Sequence, residues 1–130
     1  MIVADASVIV EVLLRTAAAV RIEARLFAEA ATVHAPHLLD VEVAQVIRRY
    51  VARGDMAPER GRMSLELLER FPVVRYPHQP LLGRVWALRA NLTAYDAVYV
   101  ALAEGLDATL LTRDRKVARA AGHRATIELV

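Results

Sequence analysis

Two rhythms of apolar and polar positions alternate along this chain. Short, wholly apolar runs are separated by longer segments in which apolar residues return every three or four positions. The first rhythm predicts buried strands and the second amphipathic helices. Met1–Ala4 predicts a strand and Ser7–Arg15 a helix laid over it. In Ala18–Ala30 the apolar stripe reads Val20, Ala24, Phe27 and Ala28, with Arg and Glu on the other face. "TVHAP" (32–36) predicts a second strand, stopped by Pro36. Leu38–Arg53 predicts a long helix with the stripe Leu39, Val43, Val46, Ile47 and Tyr50, ended by Gly54. Pro58 is placed as the first helical residue of Pro58–Arg70. "VVRY" (73–76) is a third strand, Leu81–Ala90 and Ala94–Glu104 are helices, and "ATLLT" (108–112) is a fourth strand. A short helix, Arg115–Ala121, precedes the last strand, "TIELV" (126–130). Strands alternating with helices imply a three-layer α/β/α domain around a central parallel sheet.

Composition narrows the class. At 130 residues the chain suits one domain spanning 1–130 with a proper core. Its 56% hydrophobic content excludes disorder. No run approaches the ~18 uncharged apolar residues of a membrane span. The start lacks the basic region of a signal peptide, and Asp5 interrupts what would be its apolar segment. With no Cys there is no disulfide framework and no thiolate ligand. These features together lead us to expect a cytoplasmic protein with no membrane association.

Charge enters the apolar pattern at four informative places. Asp5 follows the first strand directly, and Asp114 follows the strand of 108–112, so both project from the same sheet edge. Ligands gather at that edge in parallel α/β folds. Asp96 lies in the first turn of a helix that is otherwise almost wholly apolar from Ala97 to Ala103. Glu42 borders the buried stripe one turn into its helix, although Asp40 competes with it on periodicity. Each acid also has a structural reading. Thr93 and Asp96 have capping-box spacing, Asp114 can cap the last helix, and Glu42 can be a solvated helix residue. Four acids directed at one edge favour a site over four separate coincidences.

Carboxylates without Cys make a hard, oxygen-rich cluster suited to Mg²⁺ or Mn²⁺. Such ions orient and acidify a water and neutralise a phosphate under attack. With the four set aside, 11 of the 15 acids remain against 17 basic residues, an excess of six that suits a polyanion. Arg113, Arg115, Lys116 and Arg119 flank Asp114 as candidate phosphate contacts. His34 and His37 have loose ligand spacing but no third partner nearby. Trp86, Phe71 and the tyrosines are too scattered for a base-stacking platform. Tyr95 and Tyr99 are four apart, a packing distance, with Tyr95 the one placed to border the site.

The segments "VADAS", "LLDVEVAQVIRR", "LTAYDAVYVALAE" and "LLTRD" together resemble the PIN-domain ribonucleases, and specifically the VapC toxins of prokaryotic toxin–antitoxin pairs. The resemblance spans essentially the whole chain, and its third segment is the most distinctive. It implies that Asp5, Glu42, Asp96 and Asp114 form the metal-binding catalytic quartet, with Glu42 chosen over Asp40. Ser7 and Thr112 become supporting polar residues. It further implies Mg²⁺- or Mn²⁺-dependent endonucleolytic cleavage of RNA, a homodimer, and inhibition by a VapB-type antitoxin. Three rival readings are an RNA-processing nuclease outside toxin–antitoxin systems, a PIN fold serving only as a protein-binding module, and a Mg²⁺-binding phosphoacceptor domain. The phosphoacceptor reading calls for adjacent acids after the first strand and a Lys after a late one. Asp5 stands alone, and the only Lys, Lys116, is in the last helix.

Overall fold

The strand numbered first along the sequence is the central strand of the sheet. In the computed structural model, which describes residues 1–130, β1 (Ile2–Ala4) is buried at all three positions. It pairs in parallel with β2 (Val33–Pro36) on one side and β4 (Thr109–Thr112) on the other. Strands β3 (Val73–Tyr76) and β5 (Ile127–Leu129) form the edges, giving the order β3-β2-β1-β4-β5, all parallel. All five strands fall where the apolar runs predict them. Because the strands are parallel, their C-terminal ends share one edge, and Asp5 and Asp114 leave the sheet there.

The pleat sends successive side chains to opposite faces, and each face carries its own helical layer. Ile2, Ala4 and Leu111 pack with α1 (Ala6–Leu13), α2 (Ala19–Leu26), α3 (Leu38–Ala52) and α4 (Pro58–Arg70), through Ile9, Ile22, Leu26, Leu39, Val43, Ile47 and Leu68. Val3 and Leu110 pack with α5 (Leu82–Ala87), α6 (Ala94–Leu106) and α7 (Arg115–Arg119), through Val85, Leu88, Val98, Val100, Leu102 and Val117. The result is an α/β/α sandwich. None of its helices is long and apolar enough to cross a membrane.

Local chemistry sets the helix ends. Asp5 caps α1 by accepting from the Val8 N–H, Thr93 caps α6 by accepting from the Asp96 N–H, and Asp114 caps α7 by accepting from the Lys116 N–H. Pro58 occupies the start of α4. After α3, Gly54 takes a φ of +80°, a left-handed turn that costs glycine nothing.

Two predicted helices differ in detail. The helix expected over Ala18–Ala30 ends at Leu26, and its buried stripe is Ala19, Ile22 and Leu26. Val20 is 77% exposed and Phe27 is 47% exposed. Both stripes satisfy helical spacing in so Ala-rich a segment, and packing against α1 and the sheet selects the one carrying Ile22 and Leu26. The helix expected over Leu81–Ala90 is a 3₁₀ turn (Gln79–Leu81) followed by α5, which ends at Ala87.

Candidate active site

Four elements bring their acids to the C-terminal edge of the sheet. Asp5 stands between β1 and α1, Glu42 in the second turn of α3, Asp96 in the first turn of α6, and Asp114 between β4 and α7. Burial and mutual charge tie them together. Burial pushes the Asp5 carboxyl above the usual carboxylate range, against the pull of its hydrogen bonds. Glu42 is pushed up to about 7, first by burial and then by the charges of Asp96 and Asp5. Asp96 is raised by burial and by Asp114, with the Thr93 hydroxyl opposing the rise. The acids thus form a chain of electrostatic neighbours, Asp5 and Asp96 acting on Glu42 and Asp114 acting on Asp96.

Asp5 is the most firmly held. One oxygen accepts the Ser7 hydroxyl at 2.5 Å and the Val8 N–H at 3.2 Å; the other accepts the Thr112 hydroxyl at 2.5 Å. Ser7 and Thr112 are themselves anchored. The Ser7 oxygen accepts the Arg113 N–H at 2.9 Å, and the wholly buried Thr112 oxygen accepts the Asp114 N–H at 3.0 Å. A single network therefore joins β1, α1, β4 and the loop to α7, fixing Asp5 relative to Asp114.

Glu42 is in the opposite state. Its Oε1 atom is buried and has no hydrogen-bond partner. An unpaired buried acceptor is expensive, and a bound cation is one group that would satisfy it. As the side chains stand, no three His, Asp or Glu residues converge tightly enough to hold an ion between them. The donor set, four carboxylates plus two hydroxyls, is nonetheless hard oxygen throughout, and with the orphaned Glu42 oxygen it fits Mg²⁺ or Mn²⁺.

Asp40, the periodicity rival of Glu42, is engaged elsewhere. Arg75 on β3 grips its carboxylate, with Nε–Oδ2 at 2.8 Å and Nη2–Oδ1 at 3.0 Å. Of the four basic candidates, Arg113 is taken up by Glu11, at 3.3 Å, and by the Val130 carbonyl. Arg115, Lys116 and Arg119 are exposed on α7 and form no ion pair. His34 is buried with both ring nitrogens occupied, by the Thr32 hydroxyl at 2.8 Å and the Tyr76 hydroxyl at 2.9 Å, so it is a core residue.

Besides Tyr95, the tyrosine expected to border the site, a second tyrosine meets the acids. Tyr95 is 65% exposed, whereas Tyr99 is buried and its hydroxyl is acted on by the charges of Glu42, Asp5, Asp40 and Asp96. The signal was present in the sequence, because Tyr99 lies three residues after Asp96 and so shares its face of the helix.

Comparison with known proteins gives a consistent picture. The family model described as PIN domain matches residues 2–123. The chain is 44% identical over 130 residues to ribonuclease VapC12 of Mycobacterium tuberculosis, covering 100% of this chain and 99% of that one. It is 43% identical over 117 residues to ribonuclease VapC9 of the same species, covering 90% and 88%. Among solved structures, VapBC2 from Rickettsia felis bound to a DNA fragment from their promoter aligns with a TM-score of 0.73. Identity there is 14%, over 99% of this chain and 98% of that one. VapC20 of M. tuberculosis, described as a sarcin-ricin loop cleaving toxin, aligns with a TM-score of 0.70 and 14% identity, over 95% and 97%.

Proposed function

The chain belongs to the PIN-domain family, among its VapC ribonucleases, and on that premise we propose that it is a metal-dependent endoribonuclease serving as the toxin of a toxin–antitoxin pair. Asp5, Glu42, Asp96 and Asp114 would hold Mg²⁺ or Mn²⁺. The observation that carries this reading is the buried, unpartnered Glu42 oxygen among the charges of Asp5 and Asp96.

When bound, the ion supplies the positive charge that acidifies water and offsets charge building on a phosphodiester. The chain's own residues supply the rest. Ser7 and Thr112 hold both oxygens of Asp5, so its direction is fixed before substrate arrives. Glu42, pushed up to about 7, is an acid that a cation would help to ionise, which would couple metal binding to proton release. Arg115, Lys116 and Arg119 stand free beside Asp114 for the flanking phosphates of an RNA. No His or Lys is required as a general base.

A toxin has to be held silent, and the acid cluster offers a way. A VapB-type antitoxin presenting Arg or Lys to the quartet would form charge-assisted, partly desolvated bonds there. The VapBC2 structure, in which a chain of this fold was solved with its DNA-bound assembly, supports that kind of partner. A homodimer is part of the same reading.

The test is direct. Purified protein is incubated with RNA, with Mn²⁺ or with a chelator, alongside Asp96→Asn. Internal cleavage that requires the metal and is lost in the variant supports the reading. Cleavage by Asp96→Asn at the wild-type rate refutes it, and acyl-phosphate formation with a small phosphodonor would favour a phosphoacceptor instead.

A further inference from the structure

Three buried side-chain polar atoms in the whole chain lack a hydrogen-bond partner, and two of them belong to this cluster: Glu42 Oε1 and the Tyr99 hydroxyl. Tyr99 is only 2% exposed, on the same face of α6 as Asp96. Leaving both a buried donor and a buried acceptor unsatisfied is doubly unfavourable when each could relieve the other.

Of the other acids near the phenol, Asp96 acts on it least and interacts with the Thr93 hydroxyl, and two are fully engaged. Asp40 is held by Arg75, and Asp5 accepts from Ser7, Val8 and Thr112. Glu42 retains an open oxygen, and among the charges acting on the Tyr99 hydroxyl it is the largest. Surrounded by carboxylates and buried, the phenol keeps its proton, so it is a neutral donor where ionised acids only accept. The two atoms are not hydrogen-bonded as the side chains stand. Glu42 has three rotatable bonds to the two of Tyr99, so the glutamate is the side chain that moves.

We propose that Tyr99 is the positioning residue for Glu42: its hydroxyl donates to the Glu42 carboxylate and fixes which oxygen that acid offers to a cation. Tyr99 acts through Glu42 and is not itself catalytic. The inference rests on the metal reading of the quartet. It adds a neutral support for Glu42 corresponding to what Ser7 and Thr112 provide for Asp5.

The test is Mn²⁺ binding by calorimetry, with thermal melting alongside, for wild type, Tyr99→Phe, Glu42→Gln and the double variant. Tyr99→Phe removes one oxygen and keeps the ring, so the protein should still melt cooperatively while Mn²⁺ affinity falls about tenfold, as for other groups that orient a metal ligand. The double variant should bind no more weakly than Glu42→Gln alone. Affinity unchanged in Tyr99→Phe, or losses that add in full, would overturn the proposal. Wild-type protein that does not bind Mn²⁺ refutes the underlying metal reading, and this proposal with it. A second measurement leaves Tyr99 in place. With 3-fluorotyrosine incorporated, the ¹⁹F resonance of the buried tyrosine should move on Glu42→Gln, and a resonance that does not respond overturns the pairing.

Discussion

Asp40 and Glu42 lie two residues apart on α3, yet Asp40 is gripped on both oxygens by Arg75 while Glu42 keeps a buried oxygen with no partner. The same arginine also donates to the Leu68 carbonyl at the end of α4, at 2.9 Å. One acid therefore fastens α3 to β3 and α4, and the other is left for chemistry. Asp40→Ala is expected to retain most RNA cleavage and to lower stability by about 1 kcal/mol, the modest worth of a partly exposed pair. Glu42→Ala should lose cleavage by orders of magnitude while remaining folded. Parallel cleavage assays and thermal melts check this, and equal loss of cleavage in both variants would mean that the two roles are wrongly assigned.

Thr112 serves two partners with one hydroxyl, donating to Asp5 and accepting from the Asp114 N–H. Thr112→Val preserves shape but strands both, at about 2 kcal/mol for unsatisfied buried groups. Cleavage should fall ~10–100-fold, as when a group orienting a metal ligand is removed. Asp5 also loses a bond that favours its charged form, so half-maximal Mn²⁺ binding should shift to higher pH. Thr112→Ser keeps the hydroxyl and should restore most of both. Failure of the serine to rescue would show that the methyl group's packing matters more than the hydrogen bonds.

Glu42 makes the metal-free protein sensitive to alkali. Its carboxyl ionises near about 7 in the folded chain against an ordinary value of 4.5. Below the lower value both states hold the proton, and stability does not depend on this group. Between the two values the unfolded chain has released the proton and the folded chain has not, so stability declines as pH rises and levels off above the folded value. With allowance for water reaching the side chain, the decline is about 2 kcal/mol. Glu42→Gln should melt above wild type at pH 8 and alongside it at pH 4. Identical pH profiles for the two proteins would remove this group from the account.

A cation that binds only the assembled, deprotonated site stabilises it by mass action. At a hundred times its dissociation constant the gain is ~2.7 kcal/mol, or a rise of about 10 °C in Tm for a domain of this size. Mn²⁺ should produce that rise at pH 7.5 and almost none at pH 4, where protons already neutralise the cluster. Asp96→Asn should blunt it. A wild-type Tm indifferent to Mn²⁺ at pH 7.5 would count heavily against a metal site.

The strands could be read from the sequence because a buried strand needs a continuous apolar run and little else in this chain supplies one. Asp5 and Asp114 could be placed because the first follows such a run directly and the second comes just after one. The choice between Asp40 and Glu42 could not be made from periodicity. It depends on Arg75, thirty-five residues further on, and only the folded sheet shows that contact. The stripe of α2 was misread for a related reason. Val20 with Phe27 and Ile22 with Leu26 are equally periodic, and the packing partners that choose between them are not local. Tyr99 was legible in principle, because its three-residue spacing from Asp96 puts both on one helical face.

The hydrogen bond from Thr112 to Asp5 spans 107 residues, and that distance has a consequence during synthesis. Strand β1 emerges first and can pair early with β2, but its other edge must wait for β4. Pairing between segments so far apart in sequence is slow to form. A chain broken off before Thr112 lacks the second support of Asp5 and also lacks Asp114. A copy that stops there carries no complete acid cluster. The protein therefore assembles its acid cluster only after β4 and the loop behind it have joined the sheet.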